Sequence, residues 1–170
     1  MSRLGAVSLA RLGLLCSVAL ALYALEAALP RPLPWMKLGL SNVAVLGALI
    51  LYGPWGGLAV SAVKVLIGGL LSGSLGGPAF VLAAGAATSS LAAMALPARL
   101  APRLFSPVGL SLLGATAHQL SQLVLAQLYV AHQALHSLLP LFLVTGLFSG
   151  VFTGVTALWI LRRLAALGQL

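Results

Sequence analysis

Charged side chains are so scarce in this chain that they decide what it can fold into. Its 170 residues include nine lysines and arginines and a single acidic residue, Glu26, while 61% of the residues are hydrophobic. A water-soluble domain has roughly 25% charged residues and needs them to present a wettable surface. The sequence therefore predicts an integral membrane protein.

Continuous apolar runs rich in leucine and alanine predict helices rather than a β-barrel. Backbone groups in hydrocarbon must be hydrogen-bonded within the protein, and barrel strands would alternate polar and apolar residues. Glycine and proline segments divide the chain into six such runs. We expect one all-α domain, residues 1–170, forming a bundle of six transmembrane helices at approximately 10–29, 38–52, 55–71, 78–96, 107–131 and 140–160.

The distribution of positive charge predicts the orientation of this bundle. With six crossings, one side holds six basic residues: Arg3, Arg11, Arg99, Arg103, Arg162 and Arg163. The other side holds only Arg31 and Lys37. Because cytoplasmic loops are enriched in basic residues, both termini are expected in the cytoplasm, with the protein in the bacterial inner membrane. The scattered charges form no basic stripe, so nucleic acid is not an expected partner despite the net charge of +8.

Small residues recur at helical spacing in two places. The last predicted helix has Gly146, Gly150 and Gly154 at steps of four, and the first has a second set on one face: Gly13, Ser17 and Ala21. Such positions let helix backbones approach closely in lipid. They predict either packing within the bundle or docking of a partner membrane protein.

Six polar residues within or beside the predicted spans are candidate ligand-binding residues: Glu26, Lys37, Asn42, Lys64, His118 and Gln122. Lys64 is the clearest, because it lies near the middle of its helix and a charge there costs about 2.5–3.5 kcal/mol on insertion scales. One interpretation is a buried ion pair with Glu26. The other is a ligand-binding lysine in a pocket with surplus positive charge, which suits an anionic ligand group.

The histidines allow several interpretations. His118 and Gln122 lie one turn apart, and His118 suits a hydrogen bond to a neighbouring helix, a place in a binding cavity or, less simply, a proton relay. His132 and His136 have the spacing of two metal ligands, but zinc needs three or four and no cysteine or carboxylate is near. We expect no metal site and no cofactor.

Catalysis is improbable for a chain with no aspartate and one glutamate. Paired carboxylates for acid–base chemistry, a Ser-His-Asp arrangement and a carboxylate cluster for Mg²⁺ are all impossible. No phosphate-binding Gly-x-x-x-x-Gly-Lys-Ser/Thr loop is present. We expect the protein not to be an enzyme.

Three segments of the chain carry a family resemblance: residues 26–42 with the run Lys37-Leu38-Gly39-Leu40-Ser41-Asn42, residues 64–73, and residues 114–122. Together they resemble the Gx transporter family, also called heptaprenyl diphosphate synthase component I, over about residues 10–160. Two positions depart from the family pattern. Lys64 stands where arginine is expected, which keeps the charge but loses bidentate geometry, and Gln119 stands where asparagine is more usual.

The resemblance implies a six-helix protein similar to the substrate-binding S-components of energy-coupling factor (ECF) transporters. Such a subunit captures a vitamin-type small molecule and associates with a transmembrane subunit and two ATPases. The resemblance implies that Gly13, Ser17 and Ala21 form the docking surface. Two alternatives stay open: a non-catalytic subunit that anchors a prenyl diphosphate synthase or a flavin electron-transfer complex, and a solitary carrier or channel.

Overall fold

The structure, a computed structural model, describes residues 5–29, 39–131 and 133–168, and this part of the chain is helical without strands. Five α-helices occur within these ranges, with a short 3₁₀ helix, Gln133–Leu138, before the last of them. The α-helices are α1 (Ala6–Ala28), α2 (Asn42–Leu71), α3 (Pro78–Leu100), α4 (Pro107–Val130) and α5 (Leu139–Ala166). Proline begins α3 and α4, where its missing N–H costs nothing.

Four segments among the described residues are long and apolar enough to cross a membrane: Ser8–Ala28, Asn42–Leu71, Pro78–Leu100 and Leu135–Ala166. Exposed leucine, valine and phenylalanine side chains cover their outer faces, for example Leu14, Leu96 and Phe148. A water-soluble fold would bury these side chains, whereas lipid accommodates them. The expectation of an all-helical membrane protein is therefore supported.

The predicted number of six helices differs from the five that the described residues form. The predicted second and third helices belong to one element, α2, which is interrupted at Gly53 by backbone angles of φ 73° and ψ −170° before Pro54. A positive φ is easy for glycine, and proline cannot donate to the preceding turn. The sequence located the interruption correctly, and no loop separates the two helical parts of α2 on either side of Gly53.

The interruption folds α2 back on itself. A straight helix would place Asn42 and Lys64 about 33 Å apart, yet the Lys64 ammonium donates a hydrogen bond of 2.6 Å to the Asn42 side-chain oxygen. Close to the turn, a Cβ on Gly57 would lie 3.4 Å from the Leu49 Cα. The segments 42–52 and 54–71 therefore lie side by side and antiparallel.

The glycines of α5 pack within the bundle. A Cβ added to Gly154 would lie 2.6 Å from the Val108 Cα, and one added to Gly150 would lie 3.0 Å from the Leu112 Cα. Gly146 faces α4 at the Ala115 carbonyl in the same way. Of the two interpretations of this small-residue series, close packing of α5 on α4 is the one the structure shows.

Positively charged side chains gather at one end of the bundle. The Gly154–Val108 contact sets the C-terminal part of α5 beside the start of α4, next to the loop that follows α3. This end, called the basic end below, carries four exposed arginines: Arg99, Arg103, Arg162 and Arg163. The single acidic residue, Glu26, lies in the other half of the molecule. The cytoplasmic orientation of this end stays a prediction.

Candidate functional site

A small polar cavity lies inside the half of the bundle remote from the basic end. Four helices and the turn before α2 contribute its lining: Tyr23 and Glu26 from α1; Gly39, Ser41, Asn42, Lys64 and Val65 from the turn and α2; Ala83 and Ala87 from α3; His118 from α4. Its volume is about 20 Å³. That is room for about one water molecule, so a larger ligand requires the lining to move apart.

The Glu26 carboxylate is held at the end of α1 by the turn before α2. It is 2% exposed and accepts a hydrogen bond from the Gly39 backbone N–H. Gly39 has a φ of +83°, and a Cβ there would lie 3.1 Å from both the Asn42 amide nitrogen and the Ser149 hydroxyl. Only glycine suits this conformation and this crowding, so its backbone N–H is available to the carboxylate.

The Lys64 side chain is buried in the same cavity, with only 5% of its surface exposed. Its ammonium donates to the Asn42 side-chain oxygen at 2.6 Å. The Asn42 amide orients this ammonium, and the Glu26 carboxylate lines the same cavity. Because the antiparallel fold of α2 brings the pair together, the position of the lysine depends on the break at Gly53.

α4 supplies the imidazole and further buried amides. His118 lines the cavity, while Gln122 is buried one turn further along the same face and is not part of the lining. Gln119 donates to the Thr145 hydroxyl on α5 at 3.3 Å. Buried polar side chains of this kind attach neighbouring helices to one another in lipid. The α4 residues therefore combine a lining role with a packing role.

The structure brings together four of the six residues that the sequence proposed as ligand-binding. Glu26, Asn42, Lys64 and His118 share the cavity, Gln122 lies beside it, and Lys37 lies outside the described residues.

The site residues proposed from the sequence leave out six of the ten residues that line the cavity. Tyr23 lies three residues before Glu26 on the same face of α1, and its ring abuts Gly68, where a Cβ would be 2.9 Å away. Helical spacing from Glu26 could have indicated Tyr23. The contribution of α3, through Ala83 and Ala87, carries no sequence signal because alanine has no polar group.

The proposed docking residues lie on the exposed side of α1. Gly13, Ser17 and Ala21 are all exposed, and a Cβ added to Gly13 would have no neighbour within 4 Å. The Ser17 hydroxyl donates to the Gly13 carbonyl of its own helix at 3.1 Å. This series, called the α1 small-residue face, is thus not used for packing among the described residues.

The histidines near the 3₁₀ helix form no cluster of metal ligands in the described part of the chain. His136 is exposed and its ring nitrogen is hydrogen-bonded to the Gln127 amide, while His132 lies outside the described residues. No group of three or more histidine, cysteine, aspartate or glutamate side chains occurs in the ranges that the structure covers.

The chemistry of the cavity is that of binding. It offers an ammonium, a carboxylate, a neutral amide, an imidazole and the hydroxyls of Ser41 and Tyr23, beside alanine and valine side chains. Buried charges and hydrogen-bonding groups in lipid normally face a cavity or one another. A ligand with an anionic group and one or two hydrogen-bonding groups complements this set.

Comparison with known proteins gives one match. The family model for heptaprenyl diphosphate synthase component I matches residues 15–160, a range that includes all the cavity residues named above. No curated protein and no solved structure matches the chain.

Proposed function

Because this chain belongs to the heptaprenyl diphosphate synthase component I family, a membership that its sequence motifs indicated, we propose that it is the substrate-binding membrane subunit of a transporter for a small anionic or polar molecule. One observation supports the proposal above all: the ammonium of Lys64 is buried beside a cavity that also contains Glu26, Asn42 and His118. These residues come from α1, α2 and α4, and they are far apart in the sequence.

The energetic cost of Lys64 favours a binding role. A lysine near the middle of a membrane helix costs about 2.5–3.5 kcal/mol on insertion scales, whereas leucine there is favourable. A ligand anion in the cavity offsets this cost, since the attraction between opposite charges is strong where water is excluded. The small volume of the cavity means that a ligand larger than a water molecule enters only if the lining moves apart.

Transport by such a subunit requires partners. The proposed partners are an ECF-type transmembrane subunit and its ATPases, and the proposed docking surface is the α1 small-residue face. Its exposure supports this assignment, because close helix packing in lipid depends on small residues. The protein itself is proposed to be non-catalytic, since its sequence has a single carboxylate side chain.

A second candidate function is a non-catalytic anchoring subunit for prenyl diphosphate synthesis at the membrane. The description of the family favours it, because that description names a component of a heptaprenyl diphosphate synthase. In this alternative the Lys64 cavity is a structural polar network, and the exposed face of α1 binds a synthase partner.

Two measurements test these proposals. Native mass spectrometry of the purified protein should detect a bound small molecule in the wild type and in Lys64→Arg, which keeps the charge, but not in Lys64→Met. Equal occupancy in Lys64→Met would exclude the Lys64 site. Co-purification then separates the functions: recovery of ATPase subunits supports transport, and recovery of a soluble synthase supports anchoring.

A further inference from the structure

A large groove opens at the basic end, far from the Lys64 cavity. Its volume is about 1000 Å³, and its lining comes from the break in α2, the C-terminal half of α3 and the start of α4. The lining is mostly apolar, with Leu49, Leu58, Leu91 and Ala95 among its members. This volume is at the upper end of the roughly 300–1,000 Å³ of small-molecule pockets, which suits a long, flexible ligand.

The groove carries one positive charge at its rim. Arg99 is exposed, and among the described residues that line the groove it is the only charged one. Within the described part of the chain its guanidinium has no hydrogen-bonding or ionic partner. The only acidic side chain in the sequence, Glu26, lies in the other half of the bundle. No acidic side chain of this sequence therefore lies at this end of the bundle to pair with Arg99.

The position of Arg99 matches the level of the lipid head groups. α3 has 23 residues and is about 33 Å long, close to the thickness of a hydrocarbon core, and Arg99 lies in its last turn. Trp55 lines the same groove and is 81% exposed. Exposed tryptophan next to arginine is typical of the membrane–water interface.

We propose that this groove binds an anionic phospholipid, with the phosphate of its head group on Arg99 and an acyl chain along the apolar floor. The apolar floor rejects water, and the unpaired guanidinium selects a negative head group over a zwitterionic one. The site is independent of the ligand cavity around Lys64, since the two lie in opposite halves of the molecule. Failure of one proposal leaves the other unaffected.

Lipid retention tests the proposal. The protein is reconstituted in bilayers of equal parts phosphatidylglycerol and phosphatidylcholine, extracted in mild detergent, and its retained lipids are quantified by mass spectrometry. We expect phosphatidylglycerol to be enriched in the wild type and the enrichment to fall about fivefold in Arg99→Gln. Arg163→Gln is the matched control, because Arg163 also lies in the last turn of its helix but stacks on Trp159 at 5.6 Å.

Three results would overturn the proposal. The first is that Arg99→Gln retains the wild-type enrichment, and the second is that both arginine variants lose it equally. The third is that the retained amphiphile is an isoprenoid diphosphate rather than a phospholipid. A second measurement locates the lipid while Arg99 is left in place: in a variant with Trp35→Phe and Trp159→Phe, brominated phosphatidylglycerol should quench Trp55 fluorescence more strongly than brominated phosphatidylcholine. Equal quenching by the two lipids would also count against the site.

Discussion

The helices α1 and α4 have nearly the same length, 23 and 24 residues, but opposite surroundings. α4 is packed between α3 and α5 and buries a polar face that includes Ser111, His118 and Gln122. α1 packs chiefly against α2 and buries a narrow seam of residues at every seventh position: Leu12, Ala19 and Glu26. In this protein the polar helix is the interior one, because lipid accepts apolar side chains and excludes polar ones.

The contrast also explains the two small-residue series. The glycines of α5 meet the interior helix α4 at backbone contact, whereas the α1 small-residue face meets no described helix. Small residues at a spacing of four therefore pack against another helix in α5 and stay exposed in α1. The difference is that α5 has α4 beside its glycines. Four predictions test this contrast between embedded and peripheral helices.

The largest effect is expected for Gly154→Ala. Its new Cβ would lie 2.6 Å from the Val108 Cα, so α4 and α5 must separate, at a cost of about 2–3 kcal/mol of stability. The matched control is Gly13→Ala, which has no neighbour within 4 Å and should lose no stability, since alanine in a helix is favoured over glycine by about 0.5–1 kcal/mol. Thermal unfolding in detergent compares them, and equal losses would remove the contrast.

The next effect concerns the attachment of α1. Glu26→Ala removes the carboxylate that accepts from the Gly39 N–H, and a hydrogen bond to a charged group contributes about 1.5–3 kcal/mol. Hydrogen exchange should therefore increase in α1 while α4 stays protected. Leu25→Ala, at an exposed neighbouring position, should leave exchange unchanged. An equal increase of hydrogen exchange in both helices would show that the Glu26 carboxylate does not stabilise α1 alone.

A smaller effect is expected at the α4–α5 interface. The hydrogen bond from Gln119 to Thr145 joins the interior helix α4 to α5, and such bonds average about 0.6 kcal/mol in a membrane protein. A double-mutant cycle with Gln119→Leu and Thr145→Val should give a coupling energy of that size. A coupling near zero would assign the burial of Gln119 to packing alone.

The smallest effect on stability is expected for Ser17→Leu. Ser17 is exposed and bonds only within its own helix, so the unfolding temperature should stay at the wild-type value. If the α1 small-residue face docks a transmembrane subunit, the same change abolishes co-purification of that subunit. Val18→Leu, at a neighbouring exposed position off this face, should retain it. Retention of the partner by Ser17→Leu would assign docking to another surface.

The sequence predicts the helices well, because their ends coincide with proline and glycine. The Gly53-Pro54 pair marks the interruption of α2, and Pro107 begins α4 where the sequence places a helix. The number of helices differed because the two helical parts of α2 follow one another at Gly53 without a loop. Neither the composition nor the spacing of residues predicts that the two parts of α2 pack antiparallel against each other.

The candidate site is only partly visible in the sequence. Lys64, Asn42 and His118 stand out because polar groups are costly in lipid, and the structure places them around one cavity. The Gly39 N–H is a backbone donor that no residue type reveals, and Ala83 contributes only shape. The groove around Arg99 depends on how three helix ends meet, which periodicity does not encode.

The antiparallel arrangement of the two parts of α2 has a consequence for how the chain inserts into the bilayer. The segment 42–52 is about 16 Å long, too short to cross a hydrocarbon core of about 30 Å by itself. It therefore enters together with the segment 54–71, as one helical hairpin. In that unit the Asn42 amide lies beside the Lys64 ammonium, so the costly cation and its amide partner belong to one hairpin.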